Sequence, residues 1–363
     1  MTTASAPAPP LAPTPALAAQ PSSLAGLHPA YFAMVMATGI VSLACHLLGF
    51  KLLANCLLAL NLGFYAILWT LLIARLIRYP QRLIADLLNH GRCVGFFTIV
   101  AATCILGSQS LLIAGNKTAA TGLWIFGIAL WVGLTYTIFT ALTVKSIKPT
   151  LPEGISGGWL LAVVAAQSVA VLGAQLAAPM GWTEGPVLFF CLTMWLGGGM
   201  LYIWIISLIF YRYTFFALHP SDLSPPYWIN MGAVAISTLA GTMLAANASH
   251  SGGGAVVTEM LPFIKGFTLL FWATATWWIP MLVILGIWRH GFQRFPLRYD
   301  PLYWGAVFPL GMYAVCTIRL GQVINVPYLA LIPRVFGVIA VAAWLTVFVG
   351  LLHSLIRKGN MKT

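Results

Sequence analysis

Ten stretches of about twenty or more residues pass through this chain with scarcely a charge among them, and they decide what it can fold into. They cover roughly 29–49, 52–74, 94–114, 120–144, 159–178, 186–210, 227–246, 262–287, 302–324 and 328–355. At about 1.5 Å of rise per residue, each is long enough as a helix to cross a hydrocarbon core about 30 Å thick. Lipid offers backbone groups no partners, so only helices and closed barrels span it. A barrel would show alternating segments of about ten residues, a pattern not seen here. The stretches therefore predict an all-α polytopic membrane protein of ten transmembrane helices. Composition agrees: 60% of the 363 residues are hydrophobic and 7% are charged, where a water-soluble chain carries roughly 25%.

Residues 1–26 are rich in Ala, Pro and Ser and hold no Lys or Arg. Prolines at 7, 9, 10, 13 and 15 interrupt any apolar run, which predicts a disordered tail rather than a secretory signal. A transmembrane domain over 27–356 and a short basic tail over 357–363 complete the division. Loop charge sets the orientation. One side's loops and tail hold 13 Lys and Arg, from Arg75, Arg78, Arg82 and Arg92 to Lys358 and Lys362; the other side holds Lys51, Lys117 and Lys265. The basic side is expected in the cytoplasm of a cell (inner) membrane protein, and ten crossings put both termini there. Links on the far side are mostly short and cytoplasmic ones longer, which pairs consecutive helices into five hairpins.

The formal charge of +12 raises nucleic acid as a partner, but no basic stripe interleaved with aromatics appears. The six cysteines lie inside or at the ends of apolar runs, none as a CxxC pair, and read as small buried hydrophobes. No two histidines share a helix at haem-holding spacing, and motifs of nucleotide, zinc-protease and serine-hydrolase chemistry are missing. Neither a metal, a cofactor nor an enzyme activity is expected. Asp86, Glu153, Glu184, Asp222, Glu259 and Asp300 all fall in loops or at helix ends. Proton-coupled carriers usually hold a carboxylate at membrane depth.

Three features remain as candidates for chemistry. The ninth segment opens with Asp300-Pro301, an N-cap followed by proline at the first helical position. Pro309 removes a backbone donor within that helix and is expected to bend it. Phe308 precedes it, and its ring either plugs a conduit by steric block and dewetting or simply packs in the bundle; spacing alone leaves both open. The seventh segment follows Pro225-Pro226 and carries Gly232, Ser237, Thr238 and Gly241 without a large aliphatic block. Thr38 and Gly39 in segment 1, Thr98 and Thr103 in segment 3, and Ser168 and Gly173 in segment 5 repeat the theme. Such residues permit close helix approach, or they line a narrow, mildly polar pore. Arg319 and Arg334 near the outer ends of segments 9 and 10 either attract anions or snorkel to headgroups.

"HPAYFAMVMATGIVS" from His28, "PPYWINMGAVAIS" from Pro225 and "YWGAVFPLGMYAVCTIR" from Tyr303 resemble the tellurite-resistance/dicarboxylate transporter family. That family includes bacterial TehA, plant guard-cell slow anion channels, and fungal malate and sulfite transporters. The resemblance covers residues 28–356. It implies five hairpins around a central pore, with odd helices inside and even helices outside, in protomers that assemble as homotrimers. It assigns the pore gate to Phe308 and Pro309 and implies a largely uncharged conduit. Ala37 stands where relatives often have Gly, and the long cytoplasmic tails of the plant channels are absent. The leading reading is passage of small inorganic or organic anions through a Phe-gated pore in each protomer. The alternative is a coupled carrier for four-carbon dicarboxylates such as malate, or for sulfite, possibly linked to protons. Tellurite resistance is a phenotype and does not define the transported ion.

Overall fold

Capping and proline mark where most of the spans begin. The computed structural model describes residues 24–182, 185–248 and 255–360; Glu184, His250, Lys362 and the tail up to residue 23 lie outside them. The ten spans are α1 (Pro29–Leu47), α2 (Lys51–Arg78), α3 (Cys93–Leu112), α4 (Lys117–Val144), α5 (Gly157–Ala177), α6 (Pro186–Phe215), α7 (Pro225–Ala248), α8 (Leu261–Phe292), α9 (Pro301–Val323) and α10 (Pro327–Arg357). Before α1, the His28 Nδ1 accepts the Ala30 N–H at 3.1 Å. Before α4 the Asn116 side chain accepts the Ala119 N–H at 2.9 Å, and before α9 the Asp300 carboxylate accepts the Leu302 N–H at 2.7 Å. Each satisfies one of the orphan donors of a first turn. The odd spans all open with a 3₁₀ turn. α6 and α8 outlast their expected ends by about a turn, and the helix of α10 continues to Asn360.

Burial divides the spans into two classes. In the most apolar window of each, 83, 94, 94, 89 and 61% of residues are buried in α1, α3, α5, α7 and α9, against 22, 22, 44, 22 and 17% in α2, α4, α6, α8 and α10. Each odd helix packs along the even helix that follows it. The odd helices also contact one another in the cyclic order α1, α3, α5, α7, α9 and back to α1. An apolar exterior on the even helices, with residues such as Leu62, Trp204, Trp277 and Val338 exposed, is what lipid contact requires. The protein is a multi-pass membrane protein.

Small residues set the spacing between the layers. A Cβ on Gly173 would stand 2.5 Å from the Cys191 sulfur and 2.8 Å from the Trp124 ring, and one on Gly39 would stand 2.5 Å from Ile105 and 3.0 Å from Asn61. Gly241 lies against Thr268 and Trp195. On the basic side, a short helix (Pro80–Leu87) follows α2 and carries Asp86. Asp86 accepts from Arg75 at 2.8 Å and from Arg92 at 2.6 Å. Arg75 is buried and also donates to the Ala25 carbonyl at 3.0 Å, tying the turn at Leu24–Gly26 to the end of α2. Arg212 and Asp222 pair at 3.4 Å across the α6–α7 link.

Candidate functional site: two cavities within the ring of odd helices

Two cavities lie along the middle of the ring, and all five odd helices line both. The larger, about 20 Å³ for the centres of water-sized molecules, is walled by the C-terminal halves of the odd helices and includes Ser108, Ser168, Gln175 and Arg319. The smaller, about 10 Å³, is walled by their N-terminal ends and includes Thr98, Gly305 and Phe308. The odd helices therefore run parallel, and the smaller cavity is on the side of the basic loops. A water needs roughly 10–15 Å³ by this measure, so each cavity holds about one.

The lining residues share one register. They recur as Ala33, Met36, Ile40, Leu43 and Leu47 on α1, and as Gly305, Phe308, Met312, Val315 and Arg319 on α9. The same intervals give Thr98, Ile105, Ser108 and Leu112 on α3, Leu161, Ser168, Val171 and Gln175 on α5, and Ile229, Ile236 and Leu239 on α7. Alternating steps of three and four keep one stripe of a helix on one line. The second position of the stripe is where the cavities stop. Met36 and Phe308 occupy it on the neighbours α1 and α9, and both are buried. On the remaining helices it falls on Ala101, Val164 and Gly232, which line neither cavity. Opposite α9 stand α3 and α5, so Ala101 and Val164 form the wall across from the phenyl ring. Gly232 is flush against α9: a Cβ there would stand 2.7 Å from the Pro309 Cγ. Pro309 leaves the Gly305 carbonyl without its helical donor, within an otherwise continuous helix from Trp304 to Val323.

A family model described as voltage-dependent anion channel matches residues 26–352. The chain belongs to this family. It is similar to an uncharacterized membrane protein of Mycobacterium tuberculosis, 43% identical over 43% of this chain and 77% of that protein. A sulfite efflux pump of Trichophyton rubrum is 22% identical over 90% of both chains. A malic acid transport protein of Schizosaccharomyces pombe is 24% identical over 87% of this chain and 75% of its own.

Within this anion-channel family member, the small and polar residues singled out from the sequence divide between two faces. Phe308, Thr98, Ser168 and Arg319 line the cavities. Thr38 accepts from the Trp344 indole N–H at 2.9 Å, and Thr103 shares a 2.9 Å hydrogen bond with the Tyr65 hydroxyl; both look away from the axis, to α10 and α2. Gly39, Gly173 and Gly241 sit at the interhelix contacts described above. Ser237 and Thr238 donate to the carbonyls of Ala233 and Val234, at 2.7 and 2.8 Å, and line neither cavity. Residue type alone gave no sign of Met36, Ala101, Val164 and Gln175, and it marked Gly232 only as one small residue of the seventh segment. The signal for the register was nonetheless present: Ala33, Leu161, Ile229 and Gly305 each follow the first residue of their span by four.

The walls of the two cavities are nearly without charge. Arg319 is the one ionised group among the lining residues, and its guanidinium donates to the Gln322 side chain at 3.2 Å. At the basic mouth, His28 lies beside Arg92, Asp86 and Arg75. Burial, reinforced by the Arg92 charge, lowers its pKa from 6.5 to about 4, so it is neutral at physiological pH.

Proposed function

We propose that the chain lets small anions pass the membrane passively along the ring of odd helices, and that Phe308 closes the path in the state described. One observation carries this reading: two cavities, each walled by all five odd helices, end on either side of the position that Phe308 and Met36 fill. A buried phenyl ring excludes ions by steric block and dewetting, and Pro309 beside it gives the helix a weak point for movement. The family description and the near-neutral walls with a single guanidinium support an anion as cargo. The excess of basic loops supports a cytoplasmic location for the smaller cavity and for both termini, and the resemblance noted above supports a homotrimer with one path in each protomer.

A coupled carrier for malate or sulfite is the second reading, because relatives bear the names malic acid transport protein and sulfite efflux pump. Proton coupling usually employs an ionisable group on the path, and neither Asp, Glu nor His lines either cavity. Anion current through purified protein in planar bilayers, wild type beside Phe308→Ala, separates the two. The pore reading expects a much larger current from Phe308→Ala, reversing near the anion equilibrium potential. Silence from both proteins, with saturable gradient-driven uptake into liposomes, would establish the carrier instead.

A further inference from the structure

We infer that the larger cavity is an anion-holding site in its own right, with Arg319 and Gln175 as a two-point clamp for one small oxyanion. This rests on the anion-transport reading and adds a binding station to it, on the side of Phe308 away from the basic loops.

Three observations place it there. Arg319 and Gln175 occupy the same, fifth position of the shared register, on α9 and α5, which are not neighbours in the ring. They therefore reach into one cavity from two sides. Second, among the described residues Arg319 has no carboxylate partner, and its side chain donates to the neutral Gln322. Third, the Gln175 amide oxygen is buried without a hydrogen-bond partner among the described residues. The two ends of an amide are nearly alike in shape, so a flip of this side chain turns two N–H donors to the same space. Ser108, one turn deeper on α3, lines the cavity beside them. Most of the remaining wall is apolar, including Ile40, Leu43, Ile236 and Val315.

A guanidinium presents a planar fork that matches two oxygens of one anion. An amide facing it takes a third oxygen, the two side chains parting to admit an ion larger than the water the cavity holds as described. Within apolar walls such hydrogen bonds are stronger than in water, while a single positive charge matches a monovalent anion. A dianion would leave one negative charge unmatched and desolvated.

Nitrate serves as the probe. Thermal unfolding of the purified full chain in nanodiscs is followed against nitrate at constant ionic strength, with gluconate as the balancing anion. Ligand that binds only the folded protein raises the midpoint with its concentration. Wild type should show a saturable rise. Arg319→Gln should weaken the apparent affinity by about tenfold or more, and Arg319→Lys, which keeps the charge but loses the fork, by less. Gln175→Leu should weaken it by a few fold. If Arg319→Gln does not fold, Arg319→Lys and Gln175→Leu still decide the matter. The site is overturned if nitrate protects wild type no better than gluconate, or if these variants respond as wild type does. The readout needs no current. Should Phe308→Ala conduct while the nitrate response ignores Arg319 and Gln175, the site falls and the gate stands. Should the nitrate response follow them while Phe308→Ala stays silent, the gate falls and the site stands.

Discussion

Gly232→Ala probes the contact that holds α9, the helix of the proposed gate. The added Cβ would stand 2.7 Å from the Pro309 Cγ, 3.1 Å from its Cβ and 3.4 Å from its Cα. Carbon atoms rest at about 3.5–4.0 Å, so the two helices must part by about 1 Å at this level. A proline ring is closed onto its own backbone and cannot swing aside as a leucine tip can. Forcing an extra methyl into a packed site costs about 1–3 kcal/mol, and replacing Gly by Ala within a helix returns up to about 1 kcal/mol. The net expectation is a loss of about 0–2 kcal/mol together with a displacement of the residue next to Pro309, which is Phe308. Gly232→Ala should therefore leak anions in planar bilayers without any change to the phenyl ring. Two other glycines calibrate the result. Gly305 has only ordinary contacts, the nearest at 3.7 Å, so Gly305→Ala should stay closed and melt no lower than wild type. At Gly311 the added Cβ would meet the Ile40 Cγ2 at 3.0 Å, a side-chain tip that can give, so Gly311→Ala should fall between. If Gly232→Ala is as stable and as tight as Gly305→Ala, the coupling of α7 to the gate is refuted.

Other perturbations test separate parts of the structure. Met36 shares the closing position, so Met36→Ala should raise the current of Phe308→Ala further while conducting little alone; an unchanged current in the double variant would remove Met36 from the seal. Asp86→Asn strips the carboxylate from the buried Arg75 and from Arg92. Leaving a buried charge unpaired costs about 3–5 kcal/mol, so the variant should melt well below wild type in detergent at pH 7. His28 titrates near 6.5 when unfolded and at about 4 when folded. The unfolded chain then binds the proton first as pH falls, and the His28 contribution, about 3 kcal/mol at most, is present above pH 6.5 and disappears by about pH 4. His28→Asn keeps a side-chain acceptor for the Ala30 N–H and should flatten the melting profile between those values; an unchanged profile would show that His28 does not cause the acid sensitivity.

The spans were legible because length and apolarity are cumulative signals. Lys51–Arg78 and Lys117–Val144, bounded by charges or loop residues, appear where the composition puts them. Phe308 was legible in another way. Pro309 drew attention to it, but only the resemblance chose between a plug and ordinary packing. Met36 offered no such cue, since a methionine in an apolar helix is ordinary. Gly232 stood out as a small residue of the seventh segment, but its contact with the Pro309 ring of another helix did not.

Small polar residues were the least legible because the same chemistry serves two opposite ends. In the low dielectric of the bundle an unpaired hydroxyl is costly, and on a helix its nearest acceptor is a carbonyl one turn back. Ser168 donates to Val164 at 2.5 Å, Thr98 to Gly95 at 2.6 Å, and Thr103 to Ile99 at 2.7 Å. Once the proton is engaged there, the oxygen offers only lone pairs to its surroundings. Lone pairs suit an indole or phenol donor from the next layer of helices, as Thr38 and Thr103 find in Trp344 and Tyr65. They repel an anion. A path for anions through such a bundle is better walled by apolar side chains with one unpaired guanidinium than by a row of hydroxyls. Residue type gives no access to that distinction; it depends on helical phase, and the phase can be counted from the prolines and glycines that open α1, α5, α7 and α9.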